Sequence, residues 1–292
     1  ESWIEYEVDV PASGLYNLEL SYHPYMSEAD DRYEDRSEAA LDVLLDGAYL
    51  FREAKGIPFY RAFRDAFPLK QNEYGDDIRP QSMQLEGWMT SAFYDAGGAY
   101  SEPLQWYMEA GTHTLRLATS DSIVIESLRI VPPKALPAYA DAAEARPAHE
   151  PAADGAAVIE IEAEQAARKN TISLQISASK DPAMTPQRTG HRVLNALGGN
   201  GWRLGGQEAT WSFQVEQAGW HKIALRARQN FAPDQSVFRT IRIDGEVPFR
   251  ELLEYRFPYA ADWGGVVLAD ERGEPFEFYF EPGEHTISMR AT

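Results

Sequence analysis

The chain has 292 residues, no cysteine and a formal net charge of −19. That length suffices for two ordinary domains, and the negative charge argues against nucleic acid or an anionic membrane surface as a partner, because both attract basic patches. The lack of cysteine excludes disulfides and thiolate metal sites, and no run of about 18 apolar residues is present that could span a bilayer.

The chain opens on an antiparallel pair of strands. Residues 3–10 alternate apolar and acidic side chains, Pro-Ala-Ser-Gly at 11–14 makes a turn, and residues 15–22 alternate again. This period of two predicts a sheet with one face in water. The highly charged residues 27–36 are interpreted as a solvated loop.

A β-hairpin design follows, and it occurs twice. Residues 41–54 predict a hairpin around Asp46-Gly47, because glycine tolerates positive φ, and residues 238–251 repeat the design around Asp244-Gly245. The similarity continues on both sides, in the segment pairs 6–22 with 211–227 and 102–117 with 274–289. The sequence therefore predicts two related β-domains, which arise from an internal repeat.

Three segments have no counterpart in the other copy. Residues 55–86 are a long insertion rich in aromatic side chains, which predicts an ordered loop packed on its domain. Residues 132–157 hold eleven Ala and five Pro, too little apolar surface to offset the entropy of ordering, which predicts a linker with a helical turn near 138–145. Residues 158–164 alternate as Val-Ile-Glu-Ile-Glu-Ala-Glu and predict a strand.

Many short strands and scarce helical periodicity predict an all-β fold of two antiparallel jelly-roll β-sandwich domains. The expected parts are a first domain at 1–131, an Ala/Pro-rich linker at 132–157 and a second domain at 158–292. The first copy lacks an equivalent of the first strand of the second, and the second copy lacks an equivalent of the last strand of the first. We interpret this as a segment cut from a longer chain, in preference to strands shared between the domains; a start at Glu1 without a signal peptide agrees with this.

Several motifs carry a resemblance. They are the E-x-E of Glu162 and Glu164, the Gly-rich loop at 198–201, W-x-F-x-V at 211–215 and I-D-G at 243–245. Together they resemble the carbohydrate-binding β-sandwich modules of families 6 and 35, which have a galactose-binding-like fold. More narrowly, I-D-G-x-x-P-F-x-E and G-E-P-F-x-F-Y are similar to paired modules of large extracellular solute-binding lipoproteins of Gram-positive sugar ABC transporters.

The resemblance implies an extracellular, non-catalytic pair of modules that bind an oligo- or polysaccharide and contact the remaining domains of a parent chain. It also implies a metal site. Glu162 and Glu164 stand two apart on the predicted strand, so both carboxylates would project to one face. In the modules that this chain resembles, such a pair helps to hold a structural Ca²⁺, an ion that takes six to eight oxygen ligands. Calcium is one expectation for the pair, and a solvated or arginine-paired glutamate face is the other.

Sugar recognition needs flat aromatic faces and planar hydrogen-bonding groups. Candidates in the predicted loops of the second copy are Asn200, Trp202, Asn230, Phe231, Arg239, Tyr259 and Trp263. Candidates of the first copy are Tyr22, Tyr25, Trp88, Tyr94 and Tyr100. A sandwich core also consumes rings, and those expected in the core are Trp106, Trp211, Phe213, Phe249 and Phe278.

Catalytic signatures are missing from the sequence. It contains no G-x-S-x-G, H-E-x-x-H or G-x-x-x-x-G-K-[ST] motif, and His113 and His285, which recur in G-x-H-T, are expected to make structural hydrogen bonds. We therefore expect no catalysis by this chain. The alternatives are structural or interaction modules without a ligand, and ancillary domains of a glycoside hydrolase or polysaccharide lyase.

Overall fold

Antiparallel sheets make up nearly all of the regular structure, which confirms the predicted all-β sandwich class. The computed structural model describes residues 2–24, 38–145 and 158–292. The predicted loop at 27–36, Tyr25 and the linker beyond residue 145 lie outside the described residues. Within the described part, no helix is long and apolar enough to cross a membrane.

The first half, residues 2–131, is built from two sheets around a hydrophobic core. Its strands are β1 (Ser2–Val10), β2 (Gly14–His23), β3 (Glu38–Leu45), β4 (Ile57–Tyr60), β5 (Ala62–Asp65), β6 (Ser82–Leu85), β7 (Met89–Ala92), β8 (Gln105–Met108), β9 (Gly111–Thr119) and β10 (Val124–Val131). One sheet has the order β1-β9-β3-β4, and in the other β2 lies between β10 and β7 and also pairs with β8. Leu20, Val43, Trp106 and Leu117, from strands of both sheets, are buried in the core between them.

Both Asp-Gly hairpins form as predicted. The aspartates have φ of 50°, and the glycines that follow have φ of 77° at Gly47 and 84° at Gly245, the left-handed conformation that a two-residue hairpin turn requires. The returning limbs are shorter than predicted, because each pairs through a single bridge. Each then enters a 3₁₀ turn, at Arg52–Ala54 and at Arg250–Leu252.

A histidine closes each hairpin turn. His113 Nδ1 lies 2.7 Å from the carboxylate of Asp46 and its Nε2 lies 2.9 Å from the carbonyl oxygen of Glu109. His285 makes the same two contacts, with Asp244 at 2.7 Å and a backbone carbonyl at 2.8 Å. Both partner atoms can only accept, so both ring nitrogens donate only when the imidazole is protonated. The hydrogen bond to Asp46 accordingly raises the pKa of His113.

The insertion at 55–86 differs from the predicted loop. It contains strands β4, β5 and β6, and its aromatic side chains Phe59 and Phe63 are buried. Strand β5 leaves the first half and pairs with a strand of the second half, Phe63 standing opposite Lys169. The segment is ordered and packed, as predicted, but the prediction of a loop was wrong. Strand β4 pairs with β3, and β5 pairs with β6.

The second half, residues 158–292, contributes the larger sheet. Its strands are β11 (Arg168–Lys169), β12 (Ile176–Ala178), β13 (Leu194–Leu197), β14 (Glu208–Val215), β15 (Gly219–His221), β16 (Ala224–Gln229), β17 (Val237–Ile243), β18 (Tyr255–Phe257), β19 (Ala260–Val267), β20 (Phe278–Phe280) and β21 (Gly283–Ala291). Seven strands form one sheet in the order β18-β17-β21-β14-β11-β5-β6, and two-stranded ribbons form from β12-β13, β15-β20 and β16-β19.

A buried ion pair lies where this sheet crosses from one half to the other. Lys169 Nζ on β11 is 2.7 Å and 2.8 Å from the two carboxylate oxygens of Asp65 on β5, and 3.3 Å from Ser82 Oγ. The two residues are 1% and 8% exposed. The halves thus share one sheet, with strands of the insertion as the shared element. The domain boundaries at 131 and 158 stay a prediction.

The described part of the predicted linker is attached to the second half. Helix α1 (Tyr139–Glu144) stands where the helical turn is predicted. The Tyr139 ring contacts Phe249 and Phe276 at centroid distances of 4.9 Å and 4.6 Å, and its backbone N–H donates to the carboxylate of Glu251 at 2.9 Å. Up to Glu144 this segment therefore packs as part of the second core.

Candidate ligand-binding groove

A groove of about 1490 Å³ lies in the second half. Its lining comes from β14, β21 and β17 of the large sheet, from the β16-β19 ribbon, from β12-β13 and from residues 158–164. We call this space the groove. All of its described lining residues lie between Val158 and Thr292, so the described residues of the first half contribute none of its surface.

The groove collects most of the ligand candidates of the second copy. Those that line it are Asn200, Trp202, Asn230, Phe231, Arg239 and Trp263. They come from the loop after β13, the loop after β16, strand β17 and strand β19, which the fold brings to one place. Tyr259 is 37% exposed and is not part of the lining, although its neighbours Pro258 and Ala260 are.

Trp202 is half-buried and held on several sides. Its Nε1 donates to the carbonyl of Gln207 at 3.1 Å, and the Arg239 guanidinium lies over its ring at 5.0 Å from the centroid. A Cβ added to Gly198 would stand 3.1 Å from the ring, so only a glycine allows this approach without displacement. Trp202 thus fixes Arg239 at the groove through a cation–π contact.

Trp263 has a similar arrangement on β19. Its Nε1 donates to Ser179 Oγ at 3.1 Å, and the Arg228 guanidinium lies over its ring at 5.0 Å from the centroid. Both predicted ligand-binding tryptophans of the groove, Trp202 and Trp263, therefore have an arginine guanidinium over the ring.

Two phenylalanines give the groove open aromatic surface. Phe231 is 68% exposed and Phe238 is 38% exposed, and both line the groove. Phe238 was missed in the sequence because it alternates with Thr240 and Arg242 on a predicted strand, a pattern that by itself does not distinguish a core ring from a groove ring.

Arginines are the other lining residues that sequence reasoning missed. Arg203, Arg226 and Arg228 line the groove beside Arg239. Arg226 and Arg228 are exposed on the same face of β16, and the alternation Arg-x-Arg was the signal that could have found them. Burial lowers the pKa of Arg239 to about 10, since the charged form loses water without gaining a carboxylate.

The candidates of the first half lie elsewhere. Trp88 is exposed and meets the His23 ring edge-on at 5.8 Å, and Tyr100 is exposed. Tyr22 is buried, with its hydroxyl donating to the carbonyl of Tyr60 at 2.7 Å. Tyr94 lies at the junction of the halves, under the Arg290 guanidinium at 4.1 Å. The structure thus brings none of these rings to the groove.

The predicted metal pair is not arranged as expected. Residues 158–164 form no strand, and Glu164 is buried whereas Glu162 is exposed, so the prediction of one shared face was wrong. Burial raises the pKa of the Glu164 carboxyl, and the charge of Glu162 raises it further. No group of three or more His, Asp or Glu side chains that could hold a metal ion exists among the described residues. The pair therefore does not fit the calcium site that the resemblance implies.

Comparisons with known proteins do not assign the chain to a family. No family model matches the chain, and no curated protein matches it. Among solved structures it is similar to a cycloisomaltooligosaccharide glucanotransferase of Paenibacillus sp. complexed with cycloisomaltoheptaose, at 14% identity and a TM-score of 0.26. The match covers 98% of this chain and 40% of that one. A likeness at this TM-score carries no argument about this chain.

Proposed function

We propose that this chain binds saccharides in the groove of its second half and performs no chemistry on them. The observation that carries the proposal is convergence: rings and planar polar groups that are distant in the sequence, such as Asn200, Phe231 and Trp263, line one groove. Exposed rings beside amide and guanidinium groups are the combination that sugar recognition uses.

The main alternative is a purely structural pair of modules, and it requires these aromatic rings to be buried in the core. Phe231 is 68% exposed at the groove, which favours a binding role over a packing role. The motif resemblance to modules of extracellular solute-binding lipoproteins supports the wider context that we propose, a cell-surface protein engaged in sugar uptake. Detection of the native protein on intact cells with an antibody, before and after protease treatment, tests that location.

Binding is tested by a glycan array followed by titration calorimetry on the saccharide that gives the strongest signal. We expect Phe231→Ala to weaken binding by about 3- to 10-fold, since one aromatic contact contributes on the order of 0.5–1.5 kcal/mol. The matched control is Tyr74→Ala, an equally exposed ring of the first half (71%) that does not line the groove. Equal affinities for both variants would contradict the assignment of the groove.

The absence of catalysis is tested separately. Incubation of the protein with the bound saccharide and chromatography of the products should return the saccharide unchanged. The groove contains Glu160, Glu162 and Glu164, and glycoside hydrolysis needs two carboxylates at one bond. Cleavage products that disappear in Glu162→Gln would therefore favour a glycoside hydrolase function instead, and cleavage products that persist in this variant would favour a lyase function.

A further inference from the structure

Most basic side chains of the groove have no carboxylate partner among the described residues, although the chain is strongly acidic. The groove lining includes Arg203, Lys222, Arg226, Arg228 and Arg239, although acidic residues outnumber basic ones by 46 to 27 in the whole sequence. Lys222 lies 3.8 Å from Glu277. Among the residues that the structure describes, none of the four arginines has a carboxylate within ion-pairing distance.

Arg239 is the clearest example of a partly buried cation of the groove that has no counter-charge beside it in the described part of the chain. Its guanidinium lies over the Trp202 ring and donates to two backbone carbonyls, those of Phe238 at 2.7 Å and Trp202 at 3.2 Å. By contrast Arg242, three residues further along β17, meets the carboxylate of Glu208 at 3.4 Å. A partly desolvated cation that lacks a counter-charge is unfavourable, and a bound anion would supply that charge.

We propose that the saccharide bound in the groove is acidic, and that its carboxylate or sulfate groups bind Arg239 and Arg228. Each guanidinium lies over a tryptophan ring, Trp202 or Trp263, at 5.0 Å from its centroid, and this contact helps to hold a planar donor fork that matches an oxyanion. Two such tryptophan–arginine pairs line one groove, which fits an oligosaccharide with charge on more than one sugar unit. The inference rests on the proposed function and adds the class of saccharide to it.

Acidic and basic side chains lie on different elements of the groove. Glu164 is buried with a raised pKa, whereas Glu160 and Glu162 are exposed. These three belong to residues 158–164, and the fourth carboxylate of the lining, Glu277, lies 3.8 Å from Lys222. Arg226, Arg228 and Arg239 belong to β16 and β17. The acidic groups of the ligand therefore bind at β16 and β17.

The experiment is a glycan array of matched pairs: each uronic-acid oligosaccharide beside its carboxyl-reduced counterpart, and each sulfated oligosaccharide beside its desulfated counterpart. We expect the acidic member of a binding pair to bind at least tenfold more tightly, and its affinity to fall as salt rises from 0.05 to about 0.5 M, because ions screen exposed charges. The two kinds of pair distinguish carboxylate from sulfate.

Variants assign the effect to the groove. Arg239→Gln should weaken the acidic ligand by about 10- to 100-fold, the range of a hydrogen bond to a charged group, and should weaken the neutral partner by less. Arg239→Lys should restore part of the affinity. The control is Arg272→Gln, an exposed arginine of the second half that lies outside the groove. Glu162→Gln should strengthen acidic binding, since it removes a like charge.

The outcomes separate the two proposals. Equal or tighter binding of the neutral members overturns the acidic class and leaves saccharide binding in place. Failure of every saccharide on the array overturns both. Loss of neutral binding in Arg239→Gln, together with a lowered melting temperature, would make Arg239 a structural residue and would also overturn the inference.

Discussion

The ion pair of Lys169 and Asp65 gives the sharpest test of how the two halves are joined. Asp65→Asn removes the charge that compensates an ammonium group only 1% exposed. Breaking a buried pair by removing one partner costs about 3–5 kcal/mol. We expect about 3 kcal/mol, since the new amide oxygen can still accept one hydrogen bond and Ser82 Oγ stays 3.3 Å from Lys169 Nζ.

The pH dependence of that loss has a definite sign. Burial lowers the pKa of Lys169 in the folded protein, and Asp65 opposes this effect. Without Asp65 the folded pKa falls further below the unfolded one, so the unfolded state binds more protons and stability rises with pH. The destabilisation of Asp65→Asn should therefore shrink as the pH approaches the pKa of a free lysine.

The measurement is urea denaturation followed by tryptophan fluorescence and far-UV circular dichroism. Lys134→Met is the matched control, because Lys134 and Glu246 form an exposed pair at 2.7 Å with side chains 70% and 71% exposed; its removal should change stability by less than about 1 kcal/mol. The double variant Lys169→Met with Asp65→Leu should recover most of the loss, since it removes both buried charges. A loss in Asp65→Asn no greater than in the control would refute the buried-pair argument.

Two further predictions concern single residues. NMR titration should give His113 a pKa above its usual value, and the stability that its protonated ring contributes should be complete below about pH 6.5 and lost as the pH rises through the raised pKa; an unchanged pH profile in His113→Gln would contradict this. Gly201→Ala places a Cβ 2.4 Å from the carbonyl oxygen of Ser173 and should cost about 1–3 kcal/mol in thermal denaturation. Gly264→Ala, which meets no atom within 4 Å, is its control, and equal losses in both variants would argue against a steric cause.

Features that depend on neighbouring residues could be predicted from the sequence. The hairpins at Asp46 and Asp244 follow from a two-residue turn that needs positive φ. Core rings followed from alternation within single strands: Trp106, Trp211 and Phe249 are buried as expected, whereas Phe213 is half-buried at the edge of the groove.

Features that depend on a distant partner could not be predicted. Residues 158–164 alternate like a strand, yet they pair with none of the described strands. The same limit applies to Arg239 and Trp202, which are 37 residues apart in the sequence and in contact in the structure. A period of two shows which residues share a face, but not which element covers that face.

The Lys169–Asp65 ion pair that connects the two halves lies apart from the groove, although the same sheet contributes to both. Lys169 pairs with Ala209 at the start of β14, whereas the groove residues Trp211 and Phe213 follow it on the same strand. All eight residues of β14 pair with β21, from Glu208 to Val215, and this ladder positions the groove floor without help from β11. Asp65→Asn should therefore lower the free energy of unfolding but leave the affinity of the folded protein for its ligand within about threefold, a change of roughly 0.7 kcal/mol. A loss of more than tenfold, measured well below the melting temperature, would mean that the position of β14 depends on the first half.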